Sequence, residues 1–457
     1  MRVEVCGYTV PVCDKFGCSF SPILSPEPVS AAFARISRST KSVDELVCES
    51  VQDVESARKS NETIVFDYGH ASIAEHAVFN VNVIGVSRLC TEFIESHRLA
   101  SYTEKSQRYV KFENDFHVPE EIECFGSAVI NKYCEIMEKH FNCYKKVSEG
   151  IDKKNKNAFE DVRYILPLAT NTQLGMTVNA REAELMVRKG MVHRLAEVRS
   201  FADKLYLEIQ KIAPSLIKAR PMVDVDSLFS EFVKENGPID GSADNAANMF
   251  IRESNDLIDS ILYDEIIKQY LQSEVSNISI PTYGYIIDQL CEKLDPFTLP
   301  RFMELAEFDF MIYLSASAFA QIKRHRMGTL IPRPYLRDRG NIYEKFDVNN
   351  CVIPESLKWN QEYMGSMIAC MQESVKFIYE NNVPLCVAEY FVTNAMKRWV
   401  RYKINARSFG NFSRLRRDSH AQWEIRDLAN QMFERVKMVA PITSKLYYPR
   451  ECGDERS

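Results

Sequence analysis

The sequence predicts an α+β protein in which two copies of one module, each a sheet with packed long helices, are fused in a single chain. Short motifs recur at a spacing of about 227 residues, and strand patterns lead directly into helix patterns in each copy. Glycine is scarce, with 16 residues in 457 against an average of about 7%, which favours helices. Strands that precede helices without glycine-rich phosphate loops favour an α+β module over a doubly wound sheet.

The internal repeat sets the predicted domain boundaries. Four motifs keep their order and their spacing to within two residues: Asn179-Ala180-Arg181 with Asn405-Ala406-Arg407, Glu197-Val198-Arg199 with Glu424-Ile425-Arg426, Ala213-Pro214 with Ala440-Pro441, and His97-Arg98 with His325-Arg326. Chance dipeptide matches rarely do this, so we read a tandem duplication. We predict a first module over residues 1–215, a linker region over 216–245 with turn chemistry at Gly237-Pro238, and a second module over 246–457.

Hydrophobic periodicity predicts the same local order in both copies. Phe79, Val81 and Val83 alternate with polar residues, which is typical of a strand, and a helical pattern follows from Val86 to Arg98. In the second copy a strand pattern over 308–314 leads into a helix over 315–326. Later helices are expected over 179–190 and 191–212, and over 405–415 and 419–439.

Charge and composition exclude several classes of protein. Lys and Arg total 57 against 63 Asp and Glu, a net charge of -6, so no overall positive field exists to hold a nucleic-acid backbone. No apolar run approaches the 18 residues of a membrane span, and the N-terminus lacks the features of a signal peptide. We therefore expect a cytoplasmic protein without a membrane or nucleic-acid partner. No motif has zinc-site or EF-hand spacing, so no metal is expected.

The chemistry-bearing residues lie in a few polar blocks. The stretch Ser96–Tyr109 holds two arginines, a histidine, a glutamate and several hydroxyls within fourteen residues, which is too polar and varied for a packing segment. Gly69–His76 precedes it, and Gln321–Arg326 holds the matching basic motif of the second copy. A lone histidine at a helix end is usually a cap, but here the context indicates a site.

These blocks resemble the signature of the flavin-dependent thymidylate synthases: Arg-His-Arg, seven residues, then Ser, with Glu two before that Ser and Arg-Tyr two and three after it. Arg98 and Ser106 have the required separation. The other matching blocks are Gly69–His76, Arg163–Pro167, Thr177–Arg181, Gln321–Arg326, Asn405–Asn411, Arg416 and Ser419–Ile425. The resemblance spans nearly the whole chain, twice, and the blocks together are far more specific than any one of them.

Each copy departs from the signature in a different place. The first copy has Ser96 where the first arginine belongs, and it lacks a clear counterpart of Asn411 and Arg416. The second copy loses the Glu, Ser and Arg that follow Arg-His-Arg, and it has Glu389 where the first copy has Arg163. An acid there would repel a phosphate. Because the losses are complementary, we predict one functional and one non-functional pocket per chain.

The resemblance implies a composite site that draws residues from both modules. The family's homotetramer becomes a homodimer of fused pairs, and the sequence does not decide whether the site forms within one chain or across that dimer. The expected catalytic residues are Arg324, Ser106 and His70. The expected substrate-binding residues are Gln321, Arg324, Glu104, Ser106, Gln107, Arg108, Arg163 and Arg416. The expected cofactor-binding residues are Ser72, Arg324, His325, Arg326, Glu104, Asn405, Arg407 and Asn411.

The implied activity is the reductive methylation of dUMP to dTMP, with FAD as cofactor, NADPH as reductant and methylenetetrahydrofolate as carbon donor. Arginine suits such anionic ligands because its planar fork pairs with two phosphate oxygens at once. A serine without a paired base is a poor nucleophile, so Ser106 is expected to position the substrate. Two alternatives stay open: a diverged flavin-dependent modifier of another pyrimidine nucleotide, and a non-catalytic nucleotide-binding scaffold.

Overall fold

A computed structural model describes residues 1–12, 25–149, 158–223, 250–251, 258–259, 262, 284–285, 287–289, 291, 299–336 and 339–447. The chain forms two compact units. The first unit comprises Met1–Ser242 with Trp359–Val392, and the second comprises Ala243–Lys358 with Thr393–Ser457. Most of the predicted linker, residues 224–245, lies outside the described residues, and the boundaries 1–215 and 246–457 stay predictions.

The strands and helices are given in chain order. The strands are β1 Arg2–Tyr8, β2 Val78–Ser87, β3 Ala100–Glu104, β4 Asn171–Asn179, β5 Phe250–Ile251, β6 Glu307–Ser315, β7 Thr329–Pro332 and β8 Lys397–Asn405. The α-helices are α1 Glu27–Arg35, α2 Val43–Gln52, α3 Val54–Glu62, α4 Arg88–Ile94, α5 Ser127–Glu149, α6 Ala158–Val162, α7 Ala180–Gly190, α8 Ala196–Gln210, α9 Ala316–Ile322, α10 Ile342–Lys345, α11 Gln361–Glu380, α12 Leu385–Ala388, α13 Ala406–Arg416 and α14 Trp423–Val439. Short 3₁₀ helices include Ala71–His76, Arg163–Ile165 and Glu389–Phe391.

Both units contain a four-stranded antiparallel sheet of the same topology. The order is β1-β2-β4-β3 in the first unit and β5-β6-β8-β7 in the second. Along β2 and β6, alternate residues such as Phe79 and Phe310 are fully buried and pack against the helices. The alternation follows from the two-residue period of a strand. The repeated sheet confirms the predicted α+β fold with two copies of one module.

A matched pair of serines shows how closely the two modules repeat each other. Ser87 ends β2 and its Oγ accepts from the Cys90 backbone N–H at 2.9 Å, which caps α4. Ser315 caps α9 in the same way. Each serine also donates from its backbone N–H and its hydroxyl to one glutamate, Glu197 in the first module and Glu424 in the second. Capping satisfies backbone donors that a helix leaves open.

The helices that follow β2 and β6 are shorter than their periodicity predicted. The helix expected over Val86 to Arg98 begins at Arg88, because β2 runs on to Ser87, and it ends at Ile94. The helix expected over 315–326 spans only Ala316–Ile322. Both basic motifs, His97-Arg98 and Arg324–Arg326, therefore lie just past a helix end, where the chain turns towards the edge strand. The helix expected over 191–212 likewise spans only Ala196–Gln210.

Candidate functional site

The first unit brings two predicted phosphate-binding arginines together on one glutamate. Arg108 follows the end of β3, and its Nε donates to Glu160 Oε2 at 2.8 Å. Arg163 opens a 3₁₀ helix directly after α6, and its Nε donates to the Glu160 backbone oxygen at 3.1 Å. Arg163 is buried and Arg108 is mostly buried. Two positions 55 residues apart in the sequence thus form one cationic cluster.

A third arginine in this cluster was missed by the sequence reasoning. Arg88, the first residue of α4, donates from Nη1 to Oε1 of the predicted site residue Glu104. Both side chains are almost fully buried. Burial lowers the pKa of Arg163, Tyr164 and Glu160 oppose that shift, and the positive charges of Arg108 and Arg88 add to it. The sequence did contain a signal for Arg88. A cation at a helix N-terminus is disfavoured by the helix dipole, so an arginine there needs a specific partner.

Ser106 lies in the turn that follows β3. Its Oγ accepts from the Arg108 backbone N–H at 3.1 Å, so the hydroxyl helps to shape the turn that presents Arg108. Among the described residues no histidine is hydrogen-bonded to Ser106. This arrangement supports a positioning role, because serine needs a base to act as a nucleophile. The Cys90 thiol, on α4, is buried, which raises its pKa well above the usual range and disfavours a thiolate.

His70 and Ser72 line a cavity of about 820 Å³ in the first unit. Both side chains are exposed to it, at the start of the 3₁₀ helix Ala71–His76. Arg38 and Lys59 also line the cavity and have no carboxylate partner within the described part of the chain, whereas Lys41 is paired with Glu49. The remaining polar lining residues include Arg35, Ser37, Ser39, Ser56, Ser60, Thr63 and Tyr68. The cavity therefore suits an anionic ligand with hydrogen-bonding groups.

In the second unit, one arginine contacts two of the other predicted site residues. Arg416, at the end of α13, donates from Nε to His325 Nε2 at 2.8 Å and from Nη2 to the Gln321 backbone oxygen at 3.1 Å. Burial lowers the pKa of His325 to about 3, and the charge of Arg416 adds to the shift. His325 is therefore a neutral imidazole with its proton on Nδ1.

The side-chain amide of Gln321 has one hydrogen-bonded atom and one atom without a partner among the described residues. Its Nε2 donates to Gln422 Oε1 at 3.1 Å, whereas its buried Oε1 has no hydrogen-bond partner among the described residues. A buried acceptor without a partner costs free energy, so this oxygen fits a ligand donor. Arg324 and Arg326, on the turn after α9, are half-buried.

The three remaining predicted cofactor residues already have partners within the module. Asn405 caps α13 by accepting from the Ser408 backbone N–H at 2.8 Å. Arg407 donates to the Leu299 backbone oxygen and to Glu304 Oε1. Asn411 is exposed and accepts from Arg414 at 3.1 Å. Asn405 shapes the fold whatever else it does, and its cofactor role stays a prediction.

The first module has lost the arginine that holds the histidine in the second. Helices α7 and α13 both have 11 residues and both follow an asparagine cap, so Gly190 occupies the position of Arg416. A Cβ at Gly190 would lie 2.6 Å from the Ala202 Cβ, which leaves no room for a side chain. The matching His97 is buried, and its Nε2 lacks a hydrogen-bond partner among the described residues. The first module therefore has no counterpart of the contact between Arg416 and His325.

The position equivalent to Arg163 is also changed in the second copy. Glu389 opens the 3₁₀ helix Glu389–Phe391, as Arg163 opens Arg163–Ile165. Glu389 is buried, and one of its oxygens accepts from Arg194 Nη2 at 2.5 Å. This ion pair lies inside the first unit. A carboxylate therefore stands where the intact copy has a cation.

The fold defines a duplicated α+β protein, and its predicted site residues include one arginine cluster in each unit. The family profile for the thymidylate synthase complementing protein, Thy1, matches residues 23–215 and 256–442. A flavin-dependent thymidylate synthase of Clostridium tetani is 34% identical over 209 residues, which cover 42% of this chain and 82% of that protein. One of Sulfolobus acidocaldarius is 30% identical over 216 residues, 46% of this chain and 77% of that protein. The solved UMP/dUMP methylase PolB from Streptomyces cacaoi, bound with 5-Br dUMP, covers 47% of this chain and 92% of its own at 18% identity and a TM-score of 0.37.

The chain belongs to the thymidylate synthase complementing protein family and carries the family's module twice. It is an enzyme of the methyltransferase type. Within the described residues, no helix is long and apolar enough to cross a membrane, and no group of three or more potential metal-binding side chains occurs.

Proposed function

We propose that the chain is a flavin-dependent thymidylate synthase that converts dUMP to dTMP, with methylenetetrahydrofolate as carbon donor and NADPH as reductant. The observation that carries the proposal is the complementary distribution of site residues. The first unit holds the arginine cluster at Glu160, and the second holds the network centred on Arg416. Neither module has both halves. We further propose a cytoplasmic homodimer.

The charges of the first cluster fit the phosphate of a nucleoside monophosphate. Arg108 donates to the Glu160 carboxylate and Arg163 to the Glu160 backbone oxygen, and the planar guanidinium of each arginine can pair with two phosphate oxygens at once. Ser106 and Gln107 stand beside Arg108 on the same turn, where they can fix the nucleotide. The role of these residues is to bind and orient the substrate before any bond changes.

The residues near His70 and those of the second module fit the flavin. The cavity lined by His70 and Ser72 has cations and hydroxyls for an anionic cofactor, and the Gln321 Oε1 is an acceptor in need of a donor. Ser72, Arg324, His325, Arg326, Glu104, Asn405, Arg407 and Asn411 would hold the FAD. When bound, FAD supplies the two electrons that bring the transferred carbon to the methyl level. Arg324 or Arg326 would place a positive charge beside the ligand. His325 would stand next to it as a neutral ring, so the charge there would not change near neutral pH.

The altered residues support one working pocket per chain. Gly190 has no space for an arginine, and Glu389 presents a buried carboxylate held by Arg194. A pocket built from these two positions lacks the counterparts of Arg163 and Arg416, and its cation Arg194 is already paired with Glu389. We therefore expect one FAD and one dUMP per chain at saturation.

The direct test is tritium release from dUMP labelled at carbon 5, with the purified protein, NADPH and methylenetetrahydrofolate. Release together with one flavin per chain is expected. Arg324→Ala and Arg108→Ala, one in each module, should each weaken dUMP binding by about 1.5 to 3 kcal/mol, whereas Arg2→Ala, an exposed surface arginine, should not.

Other outcomes would contradict the proposal in distinguishable ways. Two flavins per chain, or none, would rule out the single composite site. A flavin that NADPH bleaches, without tritium release from dUMP, would indicate another pyrimidine nucleotide as substrate. A colourless protein that binds nucleotide would indicate a scaffold. Rescue of a thymidine auxotroph would support the activity in cells.

A further inference from the structure

We propose that Arg38 and Lys59 bind the glutamate tail of the folate co-substrate, in the part of the cavity of about 820 Å³ that leads away from His70. The inference rests on the proposed function and names a site for the carbon donor. Methylenetetrahydrofolate has a reactive ring system at one end, an aromatic benzoyl group in the middle and carboxylates at the other end. The cavity wall changes from apolar to cationic in the same order.

The apolar end of the cavity lies at His70. Helix α3 continues into a π turn, Thr63–Asp67, after which the His70 backbone N–H donates to the Ile64 oxygen at 3.0 Å. Such turns often occur at functional sites, and this one brings Ile64 and Tyr68 to the cavity wall. Ile73 lines the same end, where its backbone N–H donates to the His70 oxygen. These side chains suit the rings of a folate.

The wall that leads away from His70 is polar. Four residues of α3 and the following turn line it at a spacing that puts them on one helix face: Ser56, Lys59, Ser60 and Thr63. At 1.5 Å per residue, this face extends about 10 Å along the helix axis. Arg38 lines the cavity from another element, the 3₁₀ helix that follows α1. The Arg38 and Lys59 side chains are exposed, and neither makes an ion pair within the described part of the chain.

Cations outnumber carboxylates on the cavity wall. Its described lining residues include four permanent cations, Arg35, Arg38, Lys41 and Lys59, against one carboxylate, Glu49. Lys41 is paired with Glu49, and Arg35 Nη1 lies 3.7 Å from the same carboxylate. Arg38 and Lys59 are therefore the cations that can attract an anionic ligand.

The donors of this region suit carboxylates better than a phosphate. Phosphate sites commonly use open backbone N–H groups at a helix N-terminus. Helices α2 and α3 line the cavity, but their N-termini are closed by the Ser42–Glu45 capping box and by the Asp53 side chain. One guanidinium and one ammonium group remain, on different elements. Carboxylates spaced along an extended tail can pair with such cations one at a time, which favours the folate over the phosphates of FAD and NADPH.

Two probes separate the tail from the rings of the folate. Tetrahydropteroyl triglutamate carries the tail, and tetrahydropteroate has the same rings with a single carboxylate in its place. Both are titrated by calorimetry into the flavin-loaded full chain with dUMP present. The variants are Arg38→Gln, Lys59→Gln, the double variant and Lys59→Arg, which keeps the charge. Lys145→Gln on α5 is the matched control, because it removes an exposed lysine charge outside the cavity.

We expect Arg38→Gln and Lys59→Gln each to weaken triglutamate binding about threefold, the scale of an exposed ion pair. Two such contributions give the native protein a preference of about tenfold for the triglutamate over the pteroate, and the double variant should lose it. Pteroate binding should change by less than about twofold, because the tail contacts are absent. Lys59→Arg and Lys145→Gln should match the native protein for both probes. Flavin content and the preference for NADPH over NADH should stay native in every variant.

Other results overturn the inference. One is a native protein without a preference for the triglutamate, and another is a double variant that keeps the preference. Loss of flavin in the variants would assign the two cations to the FAD phosphates, and loss of the preference for NADPH over NADH would assign them to the NADPH phosphate. If the double variant does not fold, the two single variants decide. A native protein that prefers the triglutamate but releases no tritium from dUMP rejects the proposed function and not the tail site.

Discussion

Arg416 Nε donates to His325 Nε2 across 2.8 Å, and this contact joins the end of α13 to the turn that follows α9. A donor at Nε2 fixes His325 as the neutral tautomer with hydrogen on Nδ1. The same arginine donates to the Gln321 backbone oxygen. One side chain thus fixes the tautomer of His325 and adds to the burial that keeps the ring neutral.

Arg416→Ala should raise the pKa of His325 from about 3, because the variant removes a neighbouring positive charge. Burial remains the larger cause, so the pKa should stay below about 6.5. Titration of the His325 ring by NMR measures the change. The adjacent Arg417→Ala is the control, since Arg417 donates to Asn430 and to the Tyr447 backbone oxygen. Equal His325 titrations in the two variants would contradict the electrostatic link.

Gly190→Ala should destabilise the protein by about 1 to 3 kcal/mol, the usual cost of overpacking, because the new methyl group would meet Ala202 at 2.6 Å. Gly365→Ala on α11 is the counterpart, since a Cβ there meets nothing within 4 Å. That change should stabilise by about 0.5 to 1 kcal/mol through helix propensity. Urea unfolding compares them. Similar midpoints for the two variants would refute the claim that Gly190 is closed to side chains.

Stability should fall as the pH drops from about 6.5 towards 4. Burial lowers the pKa of His140 and of His97 to about 4, whereas both residues have a pKa near 6.5 in the unfolded chain. In that window the unfolded state binds more protons, so acid favours unfolding by up to about 1.4 kcal/mol per pH unit for each histidine.

The variant that checks this pH dependence is His140→Asn, which can still donate to the Ile165 backbone oxygen and no longer titrates. Below pH 6.5 the unfolding free energy should depend less steeply on pH, because unfolding of this variant takes up nearly one proton fewer. His97→Asn should do the same. An unchanged slope in both variants would show that neither histidine is buried in its neutral form.

Ser87→Ala and Ser315→Ala should have similar costs, about 1 to 3 kcal/mol each. Both remove a helix cap and both leave one oxygen of a glutamate, Glu197 or Glu424, without its hydroxyl donor. Ser42→Ala, at an exposed capping box, should cost about 0.5 to 1 kcal/mol. Denaturant unfolding gives the three values. If the buried pair cost no more than Ser42, the serine–glutamate contacts would contribute nothing to stability.

Periodicity located the two strands that it predicted, β2 and β6, and gave the helix ends poorly. The alternation of Phe79, Val81 and Val83 reports burial on one face of β2, which is a local property of the chain. The helix start is set by Ser87, whose hydroxyl caps α4 and also reaches Glu197. That second contact spans 110 residues, and a local pattern cannot report it.

Contacts between residues distant in sequence were also missed in the candidate site. Arg108 and Arg163 were predicted from their motifs, but Glu160, which joins them, and Arg88, which pairs with Glu104, belong to no motif. Asn405 was predicted as a cofactor residue, and its side chain caps α13. A motif gives the type of a residue. Only its neighbours show what the side chain contacts.

The sequence by itself determined that the chain is a duplicated α+β module and that each copy has lost different members of one signature, because repeats and substitutions are written in residue order. Only the tertiary structure shows what surrounds the altered positions: Gly190 packs against Ala202, and Glu389 pairs with Arg194. Steric room and burial depend on segments that are distant in sequence, so they become defined only when the chain is folded.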